Sequence, residues 1–330
     1  MTKDEVLGIL IRSEDYVSGE HISRQLGISR AAVNLAVGSL RAEGYGIISK
    51  TRSGYKLISS PDRISYSELV QVMPAERLKD FIILESVDST NNRLKTLEHE
   101  GAPSGTVVTA DYQAAGKGRR GRTFVSPKGS GIYLSYLLRP ECNADQISSL
   151  TAFVAVAVAR SLEKVCGIDP QIKWVNDILA GGRKLCGILT ELSVESESGA
   201  ITGCVIGIGI NVNMSVNDFP TELRDTATSI SAVTGKPARR CDIIRELTAE
   251  LDLLQTEFPS SRSKYLDYYR AHCPIIGKNI NVYKIIGKDP VPAKALSISD
   301  DFSLLVEYKD GNRENLRSGE VTIRGMNGYI

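Results

Sequence analysis

One stretch limits the possible folds more than any other: Asp111-Tyr-Gln-Ala-Ala-Gly-Lys-Gly-Arg-Arg-Gly-Arg122. Four cations, Lys117, Arg119, Arg120 and Arg122, alternate with Gly116, Gly118 and Gly121. Glycine admits positive φ and close approach to the backbone, and alternation with cations makes a loop of N–H donors and positive charge. Thr106–Ala110 leads in and Ile132–Leu138 leads out, both strand-like, so the loop is predicted to join two strands of a sheet. On residue types alone, an anion cradle and a solvated basic loop are equally good readings. The spacing of Gly116, Gly121 and Thr123 approaches a P-loop. That reading fails, because Thr123–Gly131 is turn material and cannot open the required helix.

At 330 residues, two or three domains are expected. The net charge of +1 gives no global case for nucleic acid, so any such surface must be local. The six cysteines include no Cys-x-x-Cys pair and read as reduced core thiols. Met1–Glu5 does not open a signal peptide, and the apolar runs 152–159 and 205–210 are too short to span a bilayer. A cytoplasmic protein without a membrane segment is the expectation.

The first 60 residues carry eight Lys/Arg against six Asp/Glu, a net +2. Val6, Ile9 and Leu10 mark one helix. Ser18 can cap a second that Gly27 ends, and Ser29 can cap a third carrying Ala32, Val33, Ala36, Val37 and Leu40. Residues 44–48 and 54–58 read as strands around a basic turn, 49–53. Three helices and a basic hairpin form the order of a winged helix-turn-helix, predicted over 1–62. Ser29, Arg30 and Asn34 at the start of the third helix, with Lys50 and Arg52 in the wing, are the candidate DNA contacts.

Ser59–Asp62 reads as a linker, followed by a short helix over 69–78 interrupted at Pro74. Phe81–Leu84 is a strand that ends at Asp88-Ser-Thr-Asn91. Its hydroxyls and amide can serve a ligand with both donors and acceptors, or cap the next helix. A single core helix is predicted over 146–165, and a second over 240–258. Gln171–Val175 reads as a strand, 180–184 as a hairpin turn, and Leu185–Leu192 as the returning strand. Gly207-x-Gly209 lacks the third glycine of a dinucleotide fingerprint and reads as a buried strand with room for a ligand or adjacent backbone. Short alternating segments at 277–283, 291–298, 304–308 and 321–323 suggest a small β-barrel.

Gly116-Lys-Gly-Arg-Arg-Gly-Arg122 resembles the signature loop of the biotin protein ligases. Asp88-Ser-Thr-Asn91, Lys173-Trp-Val-Asn-Asp177 and Lys184-Leu-Cys-Gly-Ile-Leu-Thr-Glu191 match three further motifs of that family in order. The resemblance spans nearly the whole chain and is nearest to the bifunctional ligase and biotin operon repressor type. It implies an α+β chain: the winged domain (1–62), a class II aminoacyl-tRNA-synthetase-like catalytic domain with a mixed sheet (63–273), and an SH3-like barrel (274–330). Its implied activity is formation of biotinyl-5′-AMP from biotin and ATP with Mg2+, then transfer to a lysine of a biotin carboxyl carrier protein domain. Biotin is then both substrate and corepressor precursor. Operator DNA and a homodimer formed on adenylate binding are the other implied partners.

Carried over by motif, Lys184, Arg119 and Asp177 would be catalytic. Ser89, Thr90, Asn91, Gln113, Gly116, Lys117, Gly118, Arg119 and Lys184 would hold biotin, and Ser89, Thr90 and Gln113 would hold its ureido ring. Arg119, Arg120, Arg122, Asn176, Lys184, Asn211, Asn213 and Arg324 would hold the nucleotide. No protein metal site is implied. Asn34-Leu35 stands where related recognition helices commonly carry Trp-Lys. Two alternatives stay open at this point: a lipoate or octanoate ligase of the same superfamily, and a ligand-sensing transcription factor without ligase activity.

Overall fold

The structure, a computed structural model, describes residues 2–195, 200–284, 289–317 and 322–325. The chain divides into two compact units, Met1–Lys79 and Asp80–Ile330.

The first unit runs α1 (Thr2–Ile11), α2 (Gly19–Leu26), α3 (Arg30–Ala42), β1 (Gly46–Lys50), β2 (Gly54–Ser59), α4 (Tyr66–Leu69) and α5 (Ala75–Leu78). The caps are those expected. Ser18 Oγ accepts from His21 N at 3.0 Å, and Ser29 Oγ from Ala32 N at 3.1 Å. Gly27 ends α2 at φ 65°. Val6, Leu7 and Leu10 of α1 meet Ile22 of α2 and Val33, Val37 and Leu40 of α3 in one buried core. β1 and β2 pair antiparallel as the hairpin. Val17 and Tyr55 exchange backbone hydrogen bonds of 2.8 and 2.9 Å, tying the hairpin to the turn before α2. A Cβ on Gly54 would lie 2.0 Å from Val17 O, so this close approach requires glycine. The short helix expected over 69–78 with an interruption at Pro74 is two separate turns of helix. α4 stops at Leu69 and α5 starts after Pro74, whose ring disfavours helix at the preceding residue.

The second unit begins β3 (Phe81–Leu84), α6 (Thr90–His99), β4 (Val107–Ala110), β5 (Gly131–Leu138), α7 (Ala144–Ile147) and α8 (Leu150–Cys166). Then follow β6 (Gln171–Lys173), β7 (Asp177–Ala180), β8 (Arg183–Val194), β9 (Ile201–Asn211), α9 (Ile230–Thr234), α10 (Arg240–Glu257) and α11 (Arg262–Ala271). β10 (Asn279–Tyr283), β11 (Val291–Ile298), β12 (Leu304–Tyr308), β13 (Arg313–Leu316) and β14 (Thr322–Gly325) complete it.

Seven strands form a mixed sheet in the order β3-β4-β5-β9-β8-β7-β6, with β3 and β4 parallel and the other pairs antiparallel. The glycine/cation loop joins β4 to β5, as the sequence predicts. Leu94 of α6 packs on Val108, Leu137 and Val205 of the sheet. Phe153 of α8 stacks on Tyr265 of α11 at 4.4 Å and meets Phe258, just past α10, edge-on at 5.0 Å.

The helix predicted over 146–165 is two helices. An Asn143/Gln146 capping box opens α7 as a separate turn that ends at Ile147, and α8 begins only at Leu150. The hairpin turn is shorter than predicted: Gly181 (φ 56°) and Gly182 (φ 74°) suffice, so Arg183 and Lys184 already lie on β8. The C-terminal strands form a five-stranded antiparallel sheet ordered β13-β12-β11-β10-β14, with β13 not anticipated from sequence. Trp174 Nε1 donates to Phe302 O at 2.9 Å and Arg270 to Ile298 O at 2.7 Å, fastening this sheet to the rest of its unit. All six cysteines are free thiols, with Cys142 and Cys166 half-buried rather than in the core. Among the described residues no helix is long and apolar enough to cross a membrane.

Arg240 at the start of α10 is fully buried. Its guanidinium pairs with Asp111 Oδ1 at 2.7 Å and donates to Gly131 O at 3.1 Å, clamping both ends of the β4–β5 loop. Removing one partner of a buried pair strands the other charge. Asp111→Ala is expected to lower the unfolding free energy of this unit by about 3 kcal/mol. Asp111→Ala/Arg240→Met recovers part of that loss, as read by denaturant titration.

Candidate active site

A cleft opens on the sheet between the N-terminus of α6, the β4–β5 loop and the β7–β8 hairpin. Its floor is made by strand positions without side chains. A Cβ on Gly207 would lie 2.3 Å from Asn91 Oδ1, and one on Gly209 2.5 Å from the Phe124 ring. The room kept by these glycines is therefore filled by two side chains of the site itself.

At one end the groups are neutral and polar. Ser89, Thr90 and Asn91 are each at most 3% exposed. Ser89 occupies the cap position of α6, yet its hydroxyl makes no capping hydrogen bond. Gln113 Oε1 accepts from Thr90 N at 2.8 Å and from Thr90 Oγ1 at 3.0 Å, while Gln113 Nε2 donates to Ser126 Oγ at 2.9 Å. Beneath them Asn91 Nδ2 donates to Glu191 Oε2 at 2.7 Å, and Lys95 Nζ reaches Glu191 Oε1 at 2.5 Å.

At the other end the groups are cationic. The loop folds back on itself through Gly118 N to Arg122 O (2.7 Å) and Phe124 N to Gly116 O (2.8 Å). Its tip is a 3-10 turn, Arg119–Gly121, with Arg120 at φ 56°. Arg119 Nη1 donates to Asn176 Oδ1 at 2.9 Å. Burial pulls the Arg119 guanidinium below its ordinary value, opposed by nearby Asp177 and reinforced by Arg120 and Arg122. Lys184 Nζ lies 2.6 Å from Asp177 Oδ1, and the Lys184 backbone is held by Thr226 O and Thr228 N at 2.7 and 2.8 Å. Lys117 turns back to the polar end instead, where its Nζ donates to Asn92 Oδ1 of α6 at 2.5 Å.

Ser89, Thr90, Asn91, Gln113, Lys117, Gly118, Arg119, Asn176 and Lys184 thus share one cleft. Gly116, Arg120, Arg122 and Asp177 stand around it without lining it. Asn211 and Asn213 instead bind backbone: Asn211 Nδ2 donates to Thr228 O at 3.0 Å, and Asn213 exchanges bonds of 2.9 Å with Ala238. The backbone of Arg324 pairs with Asn281, and its side chain lies outside the described residues, as do 318–321 and 326–330. The apolar surface of Phe124 and Leu189 in the cleft escaped the sequence reading. Phe124, the one aromatic residue in the turn run 123–131, was its available signal.

In the first unit Ser29 is spent on capping α3, while Arg30 and Asn34 lie exposed on that helix. Asn34 Oδ1 accepts from Tyr55 OH of β2. Lys50, 5.8 Å above the Tyr16 ring, and Arg52 (φ 65°) are exposed in the hairpin.

Burial raises the Glu191 carboxyl, but hydrogen bonds from Lys95 and Asn91 prevail and hold it below the ordinary value of 4.5. A folded value below the unfolded one stabilises above about pH 4.5, and that contribution is lost as pH falls through the folded value. Glu191→Gln is expected to flatten the fall of Tm between about pH 5 and pH 3, measured by thermal melts across that range.

The Biotin/lipoate A/B protein ligase family matches residues 83–211, and an HTH domain family matches 2–56. The chain is 37% identical over 309 residues to the bifunctional ligase/repressor BirA of Bacillus subtilis, covering 90% of this chain and 91% of that one. It is 31% identical to BirA of Escherichia coli, over 96% and 95% of the two chains. A biotin protein ligase from Aquifex aeolicus, solved with biotin and ATP, superposes with a TM-score of 0.64 at 28% identity, covering 75% of this chain and 99% of that one. On the reach of these matches over both units, this chain belongs to the biotin protein ligases, in their bifunctional ligase/repressor form.

Proposed function

We propose that the chain joins biotin to ATP as biotinyl-5′-AMP, passes the biotinyl group to a lysine of a biotin carboxyl carrier protein domain, and represses transcription through its first unit. One observation carries the reading: a single cleft places neutral donors and acceptors at one end and Arg119 and Lys184 at the other. That polarity suits a ligand with a ureido ring at one end and a carboxylate at the other.

Ser89, Thr90 and Gln113 would bind the ring, with Asn91, Gly116, Lys117 and Gly118 shaping its surroundings. The biotin carboxylate oxygen attacks the α-phosphorus and pyrophosphate leaves. Lys184 neutralises the carboxylate and the charge gathering on the α-phosphate, and Arg119 binds the phosphate beside Asn176. Arg120, Arg122 and Arg324 would extend that positive surface, while Asn211 and Asn213 would shape the nucleotide side through the loops they bind. The acceptor amine then attacks the acyl carbon, AMP leaves, and Asp177 takes the amine proton. Positioning and charge stabilisation carry most of the rate. Magnesium would arrive on the nucleotide phosphates.

In the first unit α3 would enter the major groove of operator DNA. Ser29, Arg30 and Asn34 would lie at the duplex, with Lys50 and Arg52 on the backbone. The adenylate, by ordering the 111–122 loop, would favour a homodimer and so tighten operator binding. Domain limits of 1–62, 63–273 and 274–330, closure of the last into an SH3-like barrel, and a cytoplasmic location complete the reading.

Pyrophosphate–ATP exchange by the purified chain is expected with biotin and not with lipoate. Exchange with lipoate alone reassigns the substrate, and none with either leaves a ligand-sensing repressor. Lys184→Ala is expected to slow exchange about 100-fold in a protein that still folds. Arg119→Gly is expected to release adenylate and biotinylate bystander proteins. Biotin with ATP is expected to tighten operator binding, and operator DNA to tighten adenylate binding by the same factor, since coupling between sites is reciprocal.

A further inference from the structure

Beneath the polar end of the cleft, a run of hydrogen bonds ends on a carboxylate that does not line it. Glu191 accepts from Asn91 Nδ2 at 2.7 Å and from Lys95 Nζ at 2.5 Å. An ionised carboxylate only accepts, so Asn91 must turn its N–H towards Glu191 and its Oδ1 the other way. Asn91 Oδ1 then meets Ser135 Oγ at 2.5 Å, and that same hydroxyl stands 2.8 Å from Thr90 Oγ1. Ser135 has one proton to give. Ser135 is fully buried and Asn91 is 3% exposed, so bulk solvent does not compete for it.

With the Ser135 proton drawn to Asn91, Thr90 Oγ1 keeps its lone pairs for the cleft. Its own proton is then shared between Ser135 Oγ at 2.8 Å and Gln113 Oε1 at 3.0 Å. Gln113 Oε1 also accepts from Thr90 N at 2.8 Å, so Nε2 is the donating end of that amide, with one N–H on Ser126 Oγ at 2.9 Å and the second left for the cleft that Gln113 lines. The cleft therefore presents an acceptor beside a donor, the complement of an N–H beside a C=O.

We infer that Glu191, paired with Lys95, is a positioning residue that sets the polarity of the Thr90 hydroxyl and so makes the site select a ring N–H, as in a cyclic urea. This rests on the biotin reading above. A site built to hydrogen-bond one group rejects an analogue lacking it, because its buried partner is left unpaired. In Glu191→Gln, Lys95 claims the amide oxygen and the new N–H faces Asn91. Asn91 then turns its Oδ1 to that N–H and its NH2 to Ser135. The Ser135 proton returns to Thr90 Oγ1, and the acceptor facing the cleft is weakened.

The test is pyrophosphate–ATP exchange with the full chain, using biotin and biotin methylated on a ring nitrogen. Glu191→Gln is expected to raise KM for biotin about tenfold, with KM for ATP and kcat within about twofold. The penalty for N-methylation, large in the wild type, shrinks in the variant. Adding Ser135→Ala to Glu191→Gln removes the returning proton and is expected to restore KM for biotin. If Glu191→Gln does not fold, Ser135→Ala alone still tests the inference: KM for biotin is expected to stay within about twofold, because Thr90 Oγ1 does not receive that proton, and a larger rise overturns it. Penalties that multiply independently, an equal rise in KM for ATP, or no rescue overturn the inference while leaving the function standing. A folded wild type with no biotin-dependent exchange overturns both.

Discussion

The register of β9 between β5 and β8 is the constraint on which the site depends. Gly207 lies opposite Ser135 on one side and Leu189 on the other, while Gly209 lies between Tyr133 and Gly187. Side chains alternate faces along a strand, so a slip of one residue would turn Ile206 and Ile208 to where the glycines now stand. Asn91 and Phe124 occupy the space the glycines leave, at distances no Cβ tolerates. The cleft exists because two bare positions on the central strand meet two large side chains brought from α6 and the β4–β5 loop.

That loop carries most of the charge, and charge crowded at one place repels. The fold answers with fixed partners rather than with solvent alone. Arg240 grips Asp111 and Gly131 at the two ends, Asn176 accepts from Arg119, and Asp177 stands by Lys184. Desolvation lowers the proton affinity of Arg119, but guanidinium remains charged across the working range, which suits a phosphate contact. Lys184 sits on a strand whose backbone is bound on both sides, so its reach towards a carboxylate varies through the side chain only.

The polar end obeys another rule. Buried donors and acceptors must be paired, and here they are paired in sequence from Lys95 to Ser126. Ser89 departs from the capping role that residue types suggested, leaving its hydroxyl to the cleft side of the helix start. A cap and a ligand contact look alike in a sequence because both need a small hydroxyl before a helix. Only the backbone geometry around Ser89 separates them.

Much of the chain was legible before folding. The helix caps at Ser18 and Ser29, the hairpin wing, and the strands around the glycine/cation loop follow from local signals that act within a few residues. Of the residues carried over by motif, Ser89, Thr90, Asn91, Gln113, Lys117, Gly118, Arg119, Asn176 and Lys184 line one cleft. What stayed hidden was long-range. The break at Ser148–Ser149, the strand Arg313–Leu316, the clamp from Asp111 to Arg240, and the commitment of Asn211 and Asn213 to loop backbone depend on partners far along the chain. The sequence by itself determined which chemistry was available: cations, hydroxyls and amides at set places on strands and loops. Tertiary structure decided which of them face a ligand and which face each other, because hydrogen-bond direction and burial are set only when distant strands come into register.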